Sequence, residues 1–514
     1  MKRIGYAAMF ALVLTQILSG VQDAQRPPAV SSAPTIPKTW DDQEMATLEI
    51  PLANPVGSPK QAPSSYYYSI PIRPIYKNYP VYAYGHEPQG YIESLKQREP
   101  EIVWDDHGHR PTLKTPADWI AAGELVFDSP TTYGGIGGSD AKDLYVREAK
   151  FLSDTDTPVG RDGTLPFFRY VVKKKGEVEI GALACGMCHS RIMPDGAILK
   201  GAQGNFPFGN VFAADYLHAR TPLNDVHALE RSLYATPWLG ADSLPATDAM
   251  SLDEIIQIHR TVPPGVVARH RTSPFAPAQV PDLIGVKDRK YLDRTGLQQQ
   301  RSIVDLMRYA ALNQGGDDLA SFDGFVPVDF GNFKKLPAAN TLDRYSDEQL
   351  YALAQFIYAQ QPPPNPNKVD ALAAHGKEVF ESENCVMCHT PPLYTNNKLT
   401  PALGFKVPPD ARKKYDILSM SVGTDPDLTM KTRRGTGYYK VPSLKGVWYR
   451  GMFGHDGWCA TLEDWFNPRR ESDNYVPTGF KPYGAKTFAV KGHPFGLDLS
   501  EEDRKALIAF LKTL

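Results

Sequence analysis

The sequence lacks an excess of basic residues and lacks long apolar runs beyond its N-terminus. Its 514 residues include 56 lysines and arginines against 58 aspartates and glutamates, a formal net charge of -2. This balance excludes a basic nucleic-acid binder, and the missing apolar runs exclude a polytopic membrane protein. Hydrophobic residues make up 42% and charged residues 22%, which predicts ordered domains, two or three at this length.

The N-terminus has the pattern of a secretory signal. Met1-Lys2-Arg3 precedes a mainly apolar stretch from Ile4 to Leu18. A short cationic head and a short apolar run predict a signal peptide over residues 1–24. The alternative is an uncleaved anchor, which the shortness of the run disfavours. We therefore expect an exported protein, periplasmic or secreted, with no membrane span after cleavage.

Cysteine is scarce, but four of the five cysteines form one repeated motif. The two copies are Cys185-Gly186-Met187-Cys188-His189 and Cys385-Val386-Met387-Cys388-His389. Thiols at this spacing can form thioethers with the two vinyl groups of a haem, and the histidine that follows is its proximal iron ligand. Redox disulfides and a four-thiol zinc site are the alternatives, but neither needs a histidine after each pair. The motif predicts two covalently bound haem c groups.

The chain contains an internal duplication around these motifs. Ala121–Phe127 matches Ala373–Phe380, with a glycine four residues before the phenylalanine in both. Ser346–Ile357 matches Ser500–Leu511, and both begin with a serine N-cap, followed by apolar residues at helical spacing. Each CxxCH motif therefore lies between an opening helix and a closing helix, as in a cytochrome c domain.

These repeats predict a mainly α protein with two tandem cytochrome c-type haem domains, long loops and a few short strands. Residues 25–112, rich in proline and tyrosine, are expected to form an extended N-terminal arm. The first haem domain is assigned to residues 113–365 and the second to residues 366–514. The stiff proline-rich linker 362–366 separates them, because proline cannot continue the preceding helix.

The first copy also carries a long insertion before its haem motif. Within it, Phe167–Val172 and Val178–Ala182 predict a β-hairpin that turns near Lys175-Gly176. The glycine-rich run at residues 134–138 lacks the strand, lysine and helix of a phosphate-binding loop. The first haem domain is therefore expected to hold most of what is individual to this protein.

The second copy continues with three further segments of a recognisable kind. They are Val441-Pro442-Ser443-Leu444-Lys445-Gly446-Val447, Phe453-Gly454-His455-Asp456-Gly457 and Thr461-Leu462-Glu463-Asp464. Together with the tandem CxxCH motifs, they resemble the bacterial di-haem cytochrome c peroxidase superfamily over residues 115 to 514. That superfamily includes a tryptophylquinone-forming maturation enzyme and the secreted di-haem rubber oxygenases. The resemblance implies that one haem reacts with peroxide while the other supplies electrons.

The sequence departs from this family at the sixth ligand of both haems. Asn205 stands where the family's first haem gains a second histidine, and Arg469 stands where its second haem gains a methionine. For the second haem we consider Met420, Met430, Met452, His455 and His493. We favour His493, just before the closing helix, because the chain can fold back there onto its own haem; a surface-loop histidine is the alternative. By the resemblance, His455 belongs near the first haem.

The first haem is expected to have an open sixth position and to be the reactive centre. Asn205 is the candidate hydrogen-bond donor to a bound oxygen species there, and Phe206, Phe208 and Phe212 are either walls of an apolar pocket or ordinary core residues. His218 or a histidine from a distant loop is the alternative that would close the site. Asn205 and His455 are the candidate catalytic residues.

Other residues give weaker signals. Cys459 is expected to be a buried, unreactive thiol, and the tryptophans at 238, 448, 458 and 465 are candidates for electron relay. The arginine pairs 433–434 and 469–470 are either haem propionate partners or solvated.

Three functions remain open from the sequence. The first is an exported di-haem oxidoreductase that activates peroxide or O2, with a small redox protein as a further partner. The second is an oxygenase that acts on an apolar organic substrate. The third is an electron-transfer cytochrome in which both irons are six-coordinate. No nucleic-acid partner is expected.

Overall fold

The computed structural model describes residues 34–53, 57–133, 145–239, 242, 244–269, 271–314, 319–327 and 343–514. The predicted signal peptide and the glycine-rich run at 134–138 lie outside these residues. The described chain is mainly helical with short strands, as the sequence predicts. Within it, no helix is long and apolar enough to cross a membrane.

The helices are mostly short, and the longest belong to the repeated segments. They are α1 (Asp42–Leu48), α2 (Ser64–Ser69), α3 (Tyr91–Lys96), α4 (Pro116–Asp128), α5 (Ala149–Thr155), α6 (Cys185–His189), α7 (Phe208–His218), α8 (Leu223–Tyr234), α9 (Leu244–Thr247), α10 (Leu252–Arg260), α11 (Ile303–Gln314), α12 (Asp347–Ala359), α13 (Ala371–Ser382), α14 (Pro409–Lys414), α15 (Asp427–Met430), α16 (Leu462–Trp465) and α17 (Glu501–Lys512).

The strands form one four-stranded sheet and several two-stranded ladders. They are β1 (Lys60–Gln61), β2 (Ile75–Tyr76), β3 (Asn78–Tyr82), β4 (Ile102–Trp104), β5 (Thr132–Tyr133), β6 (Thr164–Lys174), β7 (Glu177–Ala182), β8 (Ser190–Ile192), β9 (Ile198–Lys200), β10 (Val266–Val267), β11 (Ala278–Gln279), β12 (Tyr291–Leu292), β13 (Gln298–Gln299), β14 (Ala320–Ser321), β15 (Leu399–Pro401) and β16 (Tyr438–Lys440). The antiparallel sheet has the order β3-β6-β7-β5. Its central hairpin, β6–β7, is the one that the sequence predicts.

The N-terminal arm contains more regular structure than an extended segment. It contributes helices α1 to α3, and its strand β3 pairs with β6 at the edge of the sheet. Two of its aromatic residues are packed inward: Trp40 stacks on Tyr67 at a centroid distance of 4.3 Å, and both rings are buried. This burial joins the arm to the core that contains α4 and α12. Packing is thus the use of these aromatic rings.

The repeated segments form two helix pairs, α4 with α12 and α13 with α17. Serine and threonine caps fix where these helices begin: Thr115 and Ser346 form capping boxes with Asp118 and Gln349, and Ser500 accepts a hydrogen bond from the Asp503 amide. Such caps satisfy amides that have no partner within the helix.

A glycine allows each helix pair to pack closely. A Cβ atom at Gly123 would lie 2.0 Å from the carbonyl oxygen of Ala352, and one at Gly376 would lie 1.8 Å from the carbonyl oxygen of Ala506. Only glycine fits at such backbone contacts. Phe356 and Phe510 pack beside these glycines in the same way. The two pairs are therefore built alike, down to the residue at the crossing point.

Candidate haem sites

His389 and His493 face each other in the second repeat. Their ring centroids are 6.3 Å apart, and the ring planes are inclined by 61°. Metal–nitrogen bonds of about 2 Å to one ion would place two imidazole centroids about 6 Å apart. The observed spacing therefore suits a single ion between the rings. Of the five sixth-ligand candidates, Met420 is largely exposed, and Met452 packs with Tyr234 and Val266.

Burial disfavours the charged form of both imidazoles in this pair. Burial, with a smaller effect of the neighbouring His389, lowers the pKa of His493 to about 3. Burial also lowers the pKa of His389, although the backbone carbonyls beside it partly oppose this. The Nδ1 atom of His389 lies 3.1 Å from the carbonyl oxygen of Tyr394. Such a contact fixes the tautomer and leaves Nε2 free to bind metal.

Arg470 holds the loop that carries His493. Its guanidinium donates to the carbonyl oxygens of Val490, Gly492 and His493 at 2.6, 2.9 and 2.7 Å. The centroid of the Trp465 ring lies 5.4 Å from that of the His493 ring. The proposed propionate role of the 469–470 pair is wrong for Arg470, because its donors are used by the backbone, and Arg469 is exposed.

A proline carbonyl lies beside each proximal histidine. Sequence analysis identified only the second of the two proline-containing segments. Pro281 accompanies His189 and Pro442 accompanies His389; because proline has no N–H, the contact is with its carbonyl oxygen. The two prolines occupy the same place in a repeated segment, Val280-Pro281-Asp282-Leu283-Ile284-Gly285-Val286 and Val441-Pro442-Ser443-Leu444-Lys445-Gly446-Val447. The repeat Val-Pro-x-Leu-x-Gly-Val was the available signal.

This second duplication continues in the backbone beyond the Val-Pro segments. Leu292 pairs with Gln298 in the β12–β13 ladder, and Phe453 pairs with Cys459 in an antiparallel bridge. Counted along the sequence, Leu292 and Gln298 stand as far from Val280 as Phe453 and Cys459 stand from Val441. Cys459 is fully buried, as expected. The two Val-Pro segments are therefore structural equivalents.

The CxxCH cysteines form no disulfides with one another. Cys185–His189 forms the single helical turn α6, and Cys385–Met387 forms a 3₁₀ turn. Burial raises the pKa of the Cys185 thiol to about 12 and that of Cys188 to about 11. No group of three or more His, Cys, Asp or Glu side chains within the described ranges is placed to hold a metal ion, so the four-thiol zinc alternative is not supported.

The hydrogen bonds of Asn205 hold its side chain against strand β8. Its Oδ1 accepts from the Ile192 amide at 3.0 Å, and its Nδ2 donates to the Ile192 carbonyl at 2.9 Å. One of the two Nδ2 hydrogens is used in this contact, so the role of Asn205 as donor to a bound oxygen species stays a prediction. The phenylalanines that follow are buried in the hydrophobic core with Phe167 and Phe168. They are core residues rather than walls of an open pocket.

Burial also affects His189, but its surroundings differ from those of His389. Burial lowers the pKa of His189 to about 4, so the ring is neutral. In the part of the chain that the structure describes, no histidine ring faces His189 as His493 faces His389. The alternative ligand His218 instead stacks on Tyr145 at a centroid distance of 3.6 Å. His270 lies outside the described residues.

His455 lies on a loop that packs against the first Val-Pro segment. Its carbonyl accepts from the Gln279 amide at 2.8 Å, two residues before Pro281, and its ring lies 4.7 Å from that of Tyr439. Asp456 lies beside the imidazole at 3.8 Å, and burial raises the pKa of this carboxyl. This places His455 next to the segment that contacts His189.

Four cations line a cavity between the two Val-Pro segments, and sequence analysis did not identify them. They are Arg289, Arg294, Lys440 and Arg450. The arginine pair 433–434, which was also proposed for haem propionates, makes other contacts. Arg433 donates to the carbonyls of Ala235 and Ser232, and Arg434 forms an ion pair with Asp293.

No protein-family model matches the chain, and no curated protein matches it. Among solved structures, hydrazine synthase of Kuenenia stuttgartiensis is 15% identical over 47% of this chain and 73% of its own, with a TM-score of 0.28. A MauG-like protein associated with microbial copper homeostasis is 17% identical over 56% of this chain and 88% of its own, with a TM-score of 0.30. Both likenesses are remote, and the assignment below stands on the chain's own residues.

Proposed function

We propose that the protein is an exported di-haem c-type oxidoreductase. In this proposal the haem bound through Cys185, Cys188 and His189 activates peroxide or O2. The haem bound through Cys385, Cys388, His389 and His493 relays electrons to it. The supporting observation is the difference between the two proximal histidines. His389 has a second imidazole opposite it, and within the described residues His189 has none.

The residues at the second site fit a haem with two histidine ligands. Two neutral rings lie at a spacing that suits one ion, and the loop of His493 is held by Arg470. A haem iron with two fixed axial ligands transfers electrons, whereas one with an open position also binds small molecules. The chain's contribution at the second site is to keep both rings neutral, oriented and buried.

At the first site the chain supplies one fixed axial ligand and a closely packed wall. The Pro281 carbonyl lies beside His189, and burial lowers the pKa of its imidazole to about 4. The His455 loop covers the same segment. The Gln203 side chain donates to the carbonyl of Gly451, and the Gln279 side chain donates to the carbonyl of Met452. In this proposal His455 is the candidate for proton transfer near this site, and Asn205 is the candidate hydrogen-bond donor.

Mass spectrometry tests the haem part of the proposal. The denatured mature protein should have the mass of the polypeptide plus two haems. The mass of the bare polypeptide would contradict it.

Product analysis separates peroxide chemistry from oxygenation. Turnover of peroxide with a reduced electron donor would support the peroxidase form. Incorporation of both atoms of labelled O2 into an apolar alkene-containing polymer would support the oxygenase form. A second haem with two histidine ligands resembles the rubber-oxygenase branch.

A further inference from the structure

The cavity between the two Val-Pro segments carries an excess of positive charge. Arg289, Arg294, Lys440 and Arg450 line it, and Asp282 is the one carboxylate among its described lining residues. Asp282 is already engaged, because it accepts from the Tyr449 hydroxyl at 2.8 Å and lies 3.9 Å from Arg450. The protein itself therefore leaves most of this positive charge without a counter-charge.

Two of the cations are equivalent in the duplication. Arg289 follows Val280 at the same distance as Arg450 follows Val441. Arg289 donates to the carbonyl of Asp282, and Arg450 donates at 2.8 Å to the carbonyl of Ser443, the equivalent residue. Each arginine is thus anchored to its own Val-Pro segment. One anchored arginine from each repeat lines a common cavity.

The other two cations add to the same charge. Arg294 donates to the carbonyls of Gln279 and Val280 at 3.1 and 3.2 Å, which fixes its position without neutralising it. Lys440 is buried close to several arginines, and burial together with their positive charge lowers its pKa well below the usual value. An anion bound among these groups would favour the charged form of Lys440. Like charges brought together out of water are costly unless an anion binds among them.

The cavity also has a fixed relation to both proximal histidines. Asp282 follows directly after Pro281, whose carbonyl lies beside His189, and Pro442 itself lines the cavity and lies beside His389. The same two segments thus orient both proposed axial ligands and carry the cations. An anion that belongs to either haem would meet this cluster.

We propose that Arg289, Arg294, Lys440 and Arg450 form one shared site for the propionate carboxylates of both haems. This inference rests on the haem attachment in the proposed function. The planar guanidinium groups suit carboxylates, and Lys440 adds a point charge at the centre. The site gives the two haems a common electrostatic environment. A positive charge beside a haem favours the reduced iron, so loss of one cation should lower both midpoint potentials.

The test replaces Lys440 and measures haem content and both potentials. Lys440→Met should retain two haems by mass, and in spectroelectrochemical titration both midpoint potentials should fall. Lys440→Arg, which keeps the charge, should lie close to wild type. Lys413→Met removes an exposed lysine of the same repeat, with 77% of its side chain exposed, and should leave both potentials unchanged. If Lys440→Met does not fold, Lys440→Gln takes its place.

The outcomes separate this inference from the proposed function. Wild-type protein without two haems would refute the proposed function itself. Two bound haems whose potentials are the same in Lys440→Met and wild type would overturn the shared site alone. A fall in only one potential would also overturn it, because the cavity would then serve a single haem.

Discussion

The two repeats share a scaffold and differ in what lies opposite the proximal histidine. Gly123 and Gly376 allow the same helix crossing, and Pro281 and Pro442 place the same carbonyl beside the proximal ring. The second repeat then adds His493. Duplication has thus preserved the parts that are proposed to hold a haem, while the residue opposite the proximal histidine has changed. Chemistry at a duplicated site is better judged from its unshared residues than from its motif.

The largest effect is expected when the haem-attachment cysteines of one repeat are removed. Replacing both Cys385 and Cys388 with alanine should remove one covalent haem, because both thioethers of that haem are lost. Intact-protein mass spectrometry should show polypeptide plus a single haem. The matched control is Cys459→Ala, a buried thiol outside both motifs, which should keep two haems. Loss of both haems in the double variant would contradict independent attachment.

The next effect compares the two helix crossings. Gly123→Ala and Gly376→Ala should each lower the free energy of unfolding by about 3 kcal/mol, because the added methyl meets a backbone carbonyl that cannot move aside cheaply. Urea denaturation followed by circular dichroism measures this. Gly57→Ala is the control, since no atom lies within 4 Å of its Cβ position. Equal stability of all three variants would show that neither crossing requires a glycine.

A smaller effect is expected when the loop that carries His493 loses the hydrogen bonds from Arg470. Arg470→Gln removes the hydrogen bonds to the carbonyls of Gly492 and His493, so the His493 loop should loosen and part of the second haem should become high-spin. Electron paramagnetic resonance of the ferric protein measures that fraction. Arg469→Gln, at the exposed neighbour, should leave the spectrum unchanged. The idea fails if both variants give the wild-type signal.

The smallest effect is expected for stability as a function of pH, and it concerns a histidine–aspartate pair that the first repeat lacks. His375 of α13 lies 2.7 Å from Asp503 of α17, and this hydrogen bond raises the pKa of His375. A raised folded-state pKa gives stability that is fully present below the unfolded value of about 6.5. That stability is lost as pH rises through the folded pKa.

The His375→Ala variant, which places alanine as in the first repeat at Ala122, tests this pair. Wild-type stability should decline between about pH 6 and pH 8 relative to the variant. Urea midpoints across that range provide the comparison. Parallel curves for the two proteins would show that the pair adds nothing.

Sequence reasoning identified those parts of the fold that local rules control. Caps, helical spacing and the hairpin are decided by neighbouring residues, so the repeated helices and β6–β7 were predictable. The first Val-Pro segment escaped attention because Asp282 stands where the second copy has Ser443. The backbone contacts of Asn205 with Ile192 were not predictable, because an amide binds backbone groups as readily as a ligand and sequence position does not show which. The cationic cavity depends on residues far apart in the chain.

One measurement tests the difference between the two irons most directly. Carbon monoxide is added to the reduced protein, and ferric spectra are recorded by electron paramagnetic resonance before reduction. We expect one haem to bind carbon monoxide, and we expect one high-spin and one low-spin ferric signal. In His493→Ala the low-spin signal should be lost and both haems should bind carbon monoxide. Two low-spin signals with no carbon monoxide adduct would contradict an open first haem, and His270→Ala would then show whether that histidine closes it.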